Sequence, residues 1–120
     1  MEAAEFGITG ELPDIALRRA VTGVADTVLG FTAVHPEVGE MYLLFVDPGH
    51  GGRGIGRMLL DAAHDVLRAA GNSQAFLFTK ERNARARAVY AAAGYRPDGK
   101  VRESDFEGER LRELRLVKAL

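Results

Sequence analysis

Cysteine is absent from the 120 residues. That absence removes disulfides, thiolate metal sites and a cysteine nucleophile together, and it fits a reducing compartment. An excess of one charge sign is missing as well: 16 Lys and Arg against 17 Asp and Glu leave a formal net charge of −1, with a pI near 6.3. No overall positive field exists to hold a nucleic-acid backbone or an anionic membrane, so neither is expected as a partner and any basic site must be local. No stretch reaches the roughly 18 apolar residues of a membrane span, and "MEAAEFGITGELPD" has no basic segment leading into an apolar run. A soluble cytoplasmic protein is the expectation. Repeats and low-complexity tracts are also missing. His35, His50 and His64 are scattered without a helix-spaced pair, so no metal site is expected. No serine stands in a G-x-S-x-G context, which leaves hydrolase chemistry unsupported.

What is present is enough apolar sequence, 47% of residues, for one core and a single domain over residues 1–120. "IALRRAVTGVA" (Ile15 to Ala25) fits strand or short helix, with strand preferred. "TVLGFTAVH" (Thr27 to His35) is β-branched and aromatic, "PEVGE" supplies turn chemistry, and "MYLLFV" follows, which predicts an antiparallel hairpin. "MYLLFV" is apolar without alternation, as in a strand covered on both faces and central in its sheet. From about Gly52 to Ala70 the apolar residues Ile55, Leu59, Ala62, Ala63, Val66, Leu67 and Ala70 recur at helical spacing, with Arg57, Asp61, His64, Asp65 and Arg68 opposite. "QAFLFT" (Gln74 to Thr79) reads as a second buried strand, and "NARARAVYAAAG" (Asn83 to Gly94) as a helix capped by Asn83 and ended by Gly94. The remainder has turn signals at "PDG" and "EGE" and predicts a closing hairpin. The fold class is a mixed α/β sheet flanked by helices.

One stretch asks for more than packing. "DPGHGGRGIGRMLL" puts five glycines into eight positions between an apolar strand and a helix start, where glycine weakens both elements. A tight turn needs one or two. Free N–H groups and the positive dipole end at a helix start bind an anion, and glycines let the backbone approach it without Cβ obstruction. A Walker A loop is disfavoured, because Gly49 and Gly54 are followed by Ile55 and Gly56 rather than by Lys and Ser or Thr. A dinucleotide fingerprint fits poorly too: Gly54, Ile55 and Gly56 lead into Arg57, Met58 and Leu59. The partial match Gly49, Gly51 and Gly54 follows a hairpin strand rather than opening a βαβ unit.

The stretch "LFVDPGHGGRGIGRMLL" resembles motif A of the GNAT superfamily of N-acetyltransferases: a strand ending L-x-V-x-P, then Gln or Arg, two residues, Gly, one residue, and Gly or Ala. Leu44, Val46, Pro48, Gly54 and Gly56 match, whereas Gly51 stands where the family has Gln or Arg. "NARARAVYAAAGY" fits the family's N-x-x-A-x-x-x-Y-x-x-x-G-[FY] helix at Asn83, Ala86, Tyr90, Gly94 and Tyr95. The resemblance covers roughly Thr27 to Leu120 and leaves the family's N-terminal helices, which line the acceptor site, shortened.

The resemblance implies a mostly antiparallel GNAT-like sheet and acetyl-CoA as co-substrate. It implies a pyrophosphate on N–H groups from Gly51, Gly52, Arg53, Gly54, Ile55, Gly56 and Arg57. It further implies a pantetheine arm paired to backbone at Leu44, Phe45 and Val46, with Asn83 and Tyr90 beside the coenzyme. Tyr90 matches a tyrosine that protonates the departing thiolate, and the alternative is an aromatic packed on the sheet. Oxyanion stabilisation falls to the backbone N–H near Leu44. Glu40 stands where some members carry a general base; the alternatives are an exposed turn glutamate, with an amine that loses its proton through water. The acceptor is a small-molecule amine or a peptide or protein amine. A CoA-binding regulatory or interaction module, and a phosphate- or nucleotide-binding protein outside the family, stand as rival readings. An apolar sheet surface left by the shortened N-terminal region points to a homodimer.

Overall fold

Among the described residues, short apolar runs separated by turn residues build one sheet with two helices packed against it. The computed structural model describes residues 4–5, 16–22, 28–47, 49 and 54–120. The elements are β1 (Ala4–Glu5), β2 (Ala16–Thr22), β3 (Val28–His35), β4 (Glu40–Val46), α1 (Ile55–Ala69), β5 (Gln74–Lys80), α2 (Ala84–Ala92), β6 (Arg96–Phe106) and β7 (Glu109–Ala119). The strand order is β2-β3-β4-β5-β7-β6, and β1 pairs with β4 off that path. Only the β4–β5 pairing is parallel among the described residues. The strand preferred within Ile15 to Ala25 is present as β2, and the predicted hairpin as β3 and β4.

Both helices follow from their sequence signals. Along α1, Ile55, Leu59, Leu60, Ala63 and Leu67 are buried at helical spacing, while Ala70, counted in the predicted apolar stripe, is exposed at the C-cap. Gly71, at φ +92°, closes the helix: its N–H donates to Arg68 C=O at 2.9 Å, and Asn72 N–H to Leu67 C=O at 3.0 Å. The Asn83 side chain caps α2 by accepting from Ala86 N–H at 3.0 Å. Ala86 and Tyr90 of α2 join Val34, Met41, Leu44, Val46, Leu77, Leu116 and the buried face of α1 in a single cluster. Gly30 lets α1 press onto β3: a Cβ there would meet Ile55 and Leu59 side-chain carbons at 3.0 Å.

Two expectations are corrected. "PDG" is not the turn between strands. The register of β6 on β7 jumps from Pro97↔Leu116 to Val101↔Leu114, so Asp98, Gly99 and Lys100 form a bulge within β6. The turn chemistry is satisfied locally, with Lys100 N–H donating to Asp98 Oδ1 at 3.0 Å and Asp98 paired to Arg115. The reversal comes at Glu107 and Gly108, at φ +48° and +78°. The strand Gln74–Thr79 is buried on one face only: Ala75, Leu77 and Thr79 are buried, and Phe76 and Phe78 are half-buried on the other face.

Candidate active site

The sheet opens at its centre. Along β4 the pairing with β3 steps from Ala33↔Leu43 to Val34↔Met41, leaving Tyr42 as an extra residue. Such a bulge bends its strand. Correspondingly, β4 and β5 pair at Glu40↔Phe76 alone among the described residues, with Phe76 N–H donating to Gly39 C=O at 3.0 Å, and then diverge. The gap leaves the β5-facing edge of β4 at Leu44, Phe45 and Val46 unpaired by β5. β1 sits against that edge, with Ala4 opposite Val46 and Glu5 opposite Phe45. The edge therefore accepts an added strand.

At the C-terminal end of β4 the chain passes through the glycine stretch into α1. Gly51, Gly52 and Arg53, with Pro48 and His50, lie outside the described residues. Gly54 is the N-cap in the left-handed region, at φ +76°, and nothing lies within 4 Å of where its Cβ would be. No side chain caps α1, and its first turn has no acidic residue. Among the described residues the N-cap supplies no side-chain oxygen to the leading N–H groups of the helix, and such a helix start suits an anion. Arg57 is exposed and paired with Asp61 at 3.3 Å. A second polar group points the same way: Thr79 Oγ1, buried on β5, has no hydrogen-bond partner among the described residues.

Glu40 stands at the foot of the gap. It is half-buried, and burial holds its carboxyl above the ordinary value of 4.5 despite the nearby charges of Arg102 and His35. Leu44 lies four positions further along β4, about 13 Å at strand rise, so the two are not brought together. Tyr90 is fully buried from α2, and burial, reinforced by Tyr95, pushes its phenol well above 10. Asn83 spends its side-chain carbonyl on the α2 cap.

Several residues of the neighbourhood carried no recognisable sequence signal. Tyr42 is one, because a continuous apolar run does not show where its register slips. Glu113, 1% exposed, accepts from Arg102 Nε at 3.1 Å, and the Arg102 guanidinium lies 3.9 Å from the centre of the Phe78 ring. His64 is a correction: expected on the polar face of its helix, it is 4% exposed and its Nε2 lies 2.7 Å from Tyr95 Oη. Its ring escapes solvent because it follows Ala63 on the stripe shared with Leu60 and Leu67. No group of His, Asp and Glu among the described residues is arranged to hold a metal ion, and no described helix is long and apolar enough to cross a membrane.

A mixed sheet parted between two parallel strands, with a helix start led by Gly54 beyond the end of one of them, defines the fold class as α/β. Residues 14–95, more than half of the chain, match the model of the Acetyltransferase (GNAT) family, and the chain belongs to that family. It is 54% identical over 59 residues to a mycothiol acetyltransferase of Beutenbergia cavernae, covering 49% of this chain and 20% of that protein. It is 38% identical over 103 residues to a mycothiol acetyltransferase of Nocardia farcinica, covering 70% of this chain and 34% of that protein. The chain thus spans a fifth to a third of the length of these curated relatives. Among solved structures, Naa20 of Chaetomium thermophilum in complex with a bisubstrate analogue superposes with a TM-score of 0.71 at 19% identity, over 84% of this chain and 64% of that one. A GNAT family acetyltransferase from Elizabethkingia anophelis with acetyl-CoA bound gives 0.64 at 15% identity, over 82% and 72%. These two likenesses establish the fold.

Proposed function

We propose that this domain moves an acetyl group from acetyl-CoA to a primary amine by direct attack within a ternary complex. The observation that carries the reading is the gap between β4 and β5, with an edge that accepts a strand and an uncapped α1 start beyond it. Backbone N–H groups from Gly51 to Arg57 hold the pyrophosphate, and Arg53 and Arg57 add positive charge. Backbone at Leu44, Phe45 and Val46 pairs with the amides of the pantetheine arm, in the place that β1 takes at Phe45 and Val46. In this reading Thr79 on β5, Asn83 at the cap of α2 and Tyr90 within it complete the coenzyme site. Bound there, acetyl-CoA supplies the acyl group and a thiolate leaving group.

The chain's own groups do the rest. An N–H near Leu44 stabilises the developing oxyanion. Tyr90, which its raised pKa keeps protonated across the working pH range, donates to the departing thiolate. Glu40, at about 13 Å along β4 from Leu44, takes the amine proton by way of water rather than by direct contact. Relatives that act under the name mycothiol acetyltransferase support a small-molecule amine over a peptide or protein amine as acceptor. A cytoplasmic homodimer, formed through the sheet face that carries Phe31, Phe76 and Phe78, belongs to the same reading.

Gly51, where the family's Gln or Arg contact is missing, permits a second reading, a CoA-binding module with little catalysis, and the loss should appear in the affinity for CoA. Titration calorimetry with acetyl-CoA, desulfo-CoA and ATP tests the coenzyme: both CoA compounds bind and ATP does not. ATP binding without CoA binding would overturn the assignment.

A further inference from the structure

Tyr90 does not stand alone in the core. Gly94, at φ +98°, turns the chain back directly after α2, and Tyr95 folds beneath Tyr90. Tyr95 N–H donates to Tyr90 C=O at 3.0 Å, and the two rings meet edge to face, 5.8 Å apart at 68°. The hydroxyl of Tyr95 then reaches across to α1, where His64 Nε2 lies 2.7 Å away, and both side chains are buried, at 3% and 4% exposure. A buried polar pair of this kind is costly to leave half-made, so the bond fixes both rings. It ties the helix that presents Tyr90 to the helix whose first turn faces the pyrophosphate.

We propose that His64 and Tyr95 are positioning residues, which hold the Tyr90 phenol at a set distance from the coenzyme bound at the start of α1. Neither touches the reacting atoms: His64 faces the core on one side and a cleft of about 260 Å³ on the other, lined by Asp61, Arg68, Ala93 and Lys118. Burial, with the charges of Lys118 and Arg68, lowers the pKa of His64 to about 4, so the ring is neutral near pH 7 and keeps its bond to the phenol. The inference rests on Tyr90 as the proton donor.

Steady-state kinetics of Tyr95→Phe, His64→Leu and His64→Gln, each made with Tyr90 present and in the Tyr90→Phe background, provide the test. With Tyr90 present, Tyr95→Phe and His64→Leu lower kcat about tenfold with KM for acetyl-CoA within about twofold, and His64→Gln, which offers a polar atom near the position of Nε2, restores most of it. In the Tyr90→Phe background the same changes alter kcat by less than about twofold, since the group they position is gone. Equal losses in both backgrounds would mean that the pair is merely structural and would overturn the proposal. So would an unchanged kcat for Tyr95→Phe, the variant that keeps the ring and its packing if His64→Leu fails to fold. An unchanged kcat for Tyr90→Phe by itself would instead remove the donor reading on which the proposal stands.

Discussion

His64 follows Ala63 and sits four residues after Leu60, so helical spacing alone would have placed it on the buried stripe; its polarity argued for the opposite face. The partner that makes burial tolerable, Tyr95, is 31 residues away, and no local pattern announces a pair at that separation. Burial has a thermodynamic consequence. With a folded pKa of about 4 against 6.5 unfolded, His64 refuses a proton that the unfolded chain accepts, so stability falls as pH drops from about 6.5 toward 4. Asp61 and Asp65 oppose this shift, and Lys118 and Arg68 reinforce burial. The span corresponds to about 3 kcal/mol at most. Glu40, whose carboxyl is raised, contributes the opposite slope, so the comparison must be internal. Urea unfolding at pH 7 and pH 4.5 should show the His64→Gln variant losing less stability on acidification than the parent; equal losses would place the proton elsewhere.

At the scale of elements, what repeats locally was legible and what depends on register was not. The α1 stripe, the Asn83 cap, the β3–β4 hairpin and the reversal near Gly108 each have a periodicity or a turn residue to mark them. The bulge at Tyr42 lies in a run with no alternation to break, and "PDG" has turn chemistry that a bulge uses equally well. The seat of β1 was equally hidden, because two residues carry no strand pattern. Its position makes a prediction: β1 holds the backbone at Phe45 and Val46 that the proposed site gives to the pantetheine arm, so on that proposal binding must displace β1. An Ala4→Pro/Glu5→Pro variant, which removes backbone donors from β1, should bind acetyl-CoA about two- to fivefold more tightly by calorimetry. Unchanged or weaker binding would contradict shared occupancy of that edge.

Among the described residues of the whole molecule, the two halves of the sheet, β2-β3-β4 and β5-β7-β6, meet at one register pair and are bridged on one face by α1 and α2. The gap between them was not readable from composition or periodicity, yet the glycines of the β4–α1 connection pointed to the anion that such a gap would take. The proposed catalytic assignment gives the strand edge and helix start to the coenzyme, the thiolate's proton to Tyr90 and the amine's proton to Glu40. Its most direct test is release of free thiol from acetyl-CoA against a panel of small-molecule and peptide amines, with the N-acetylated product confirmed by mass. We predict amine-dependent thiol release that falls about a hundredfold in Tyr90→Phe and about tenfold or more in Glu40→Gln, with acetyl-CoA binding retained in both. Tight acetyl-CoA binding with no acetylated product from any amine would contradict the account and leave a coenzyme-binding module in its place.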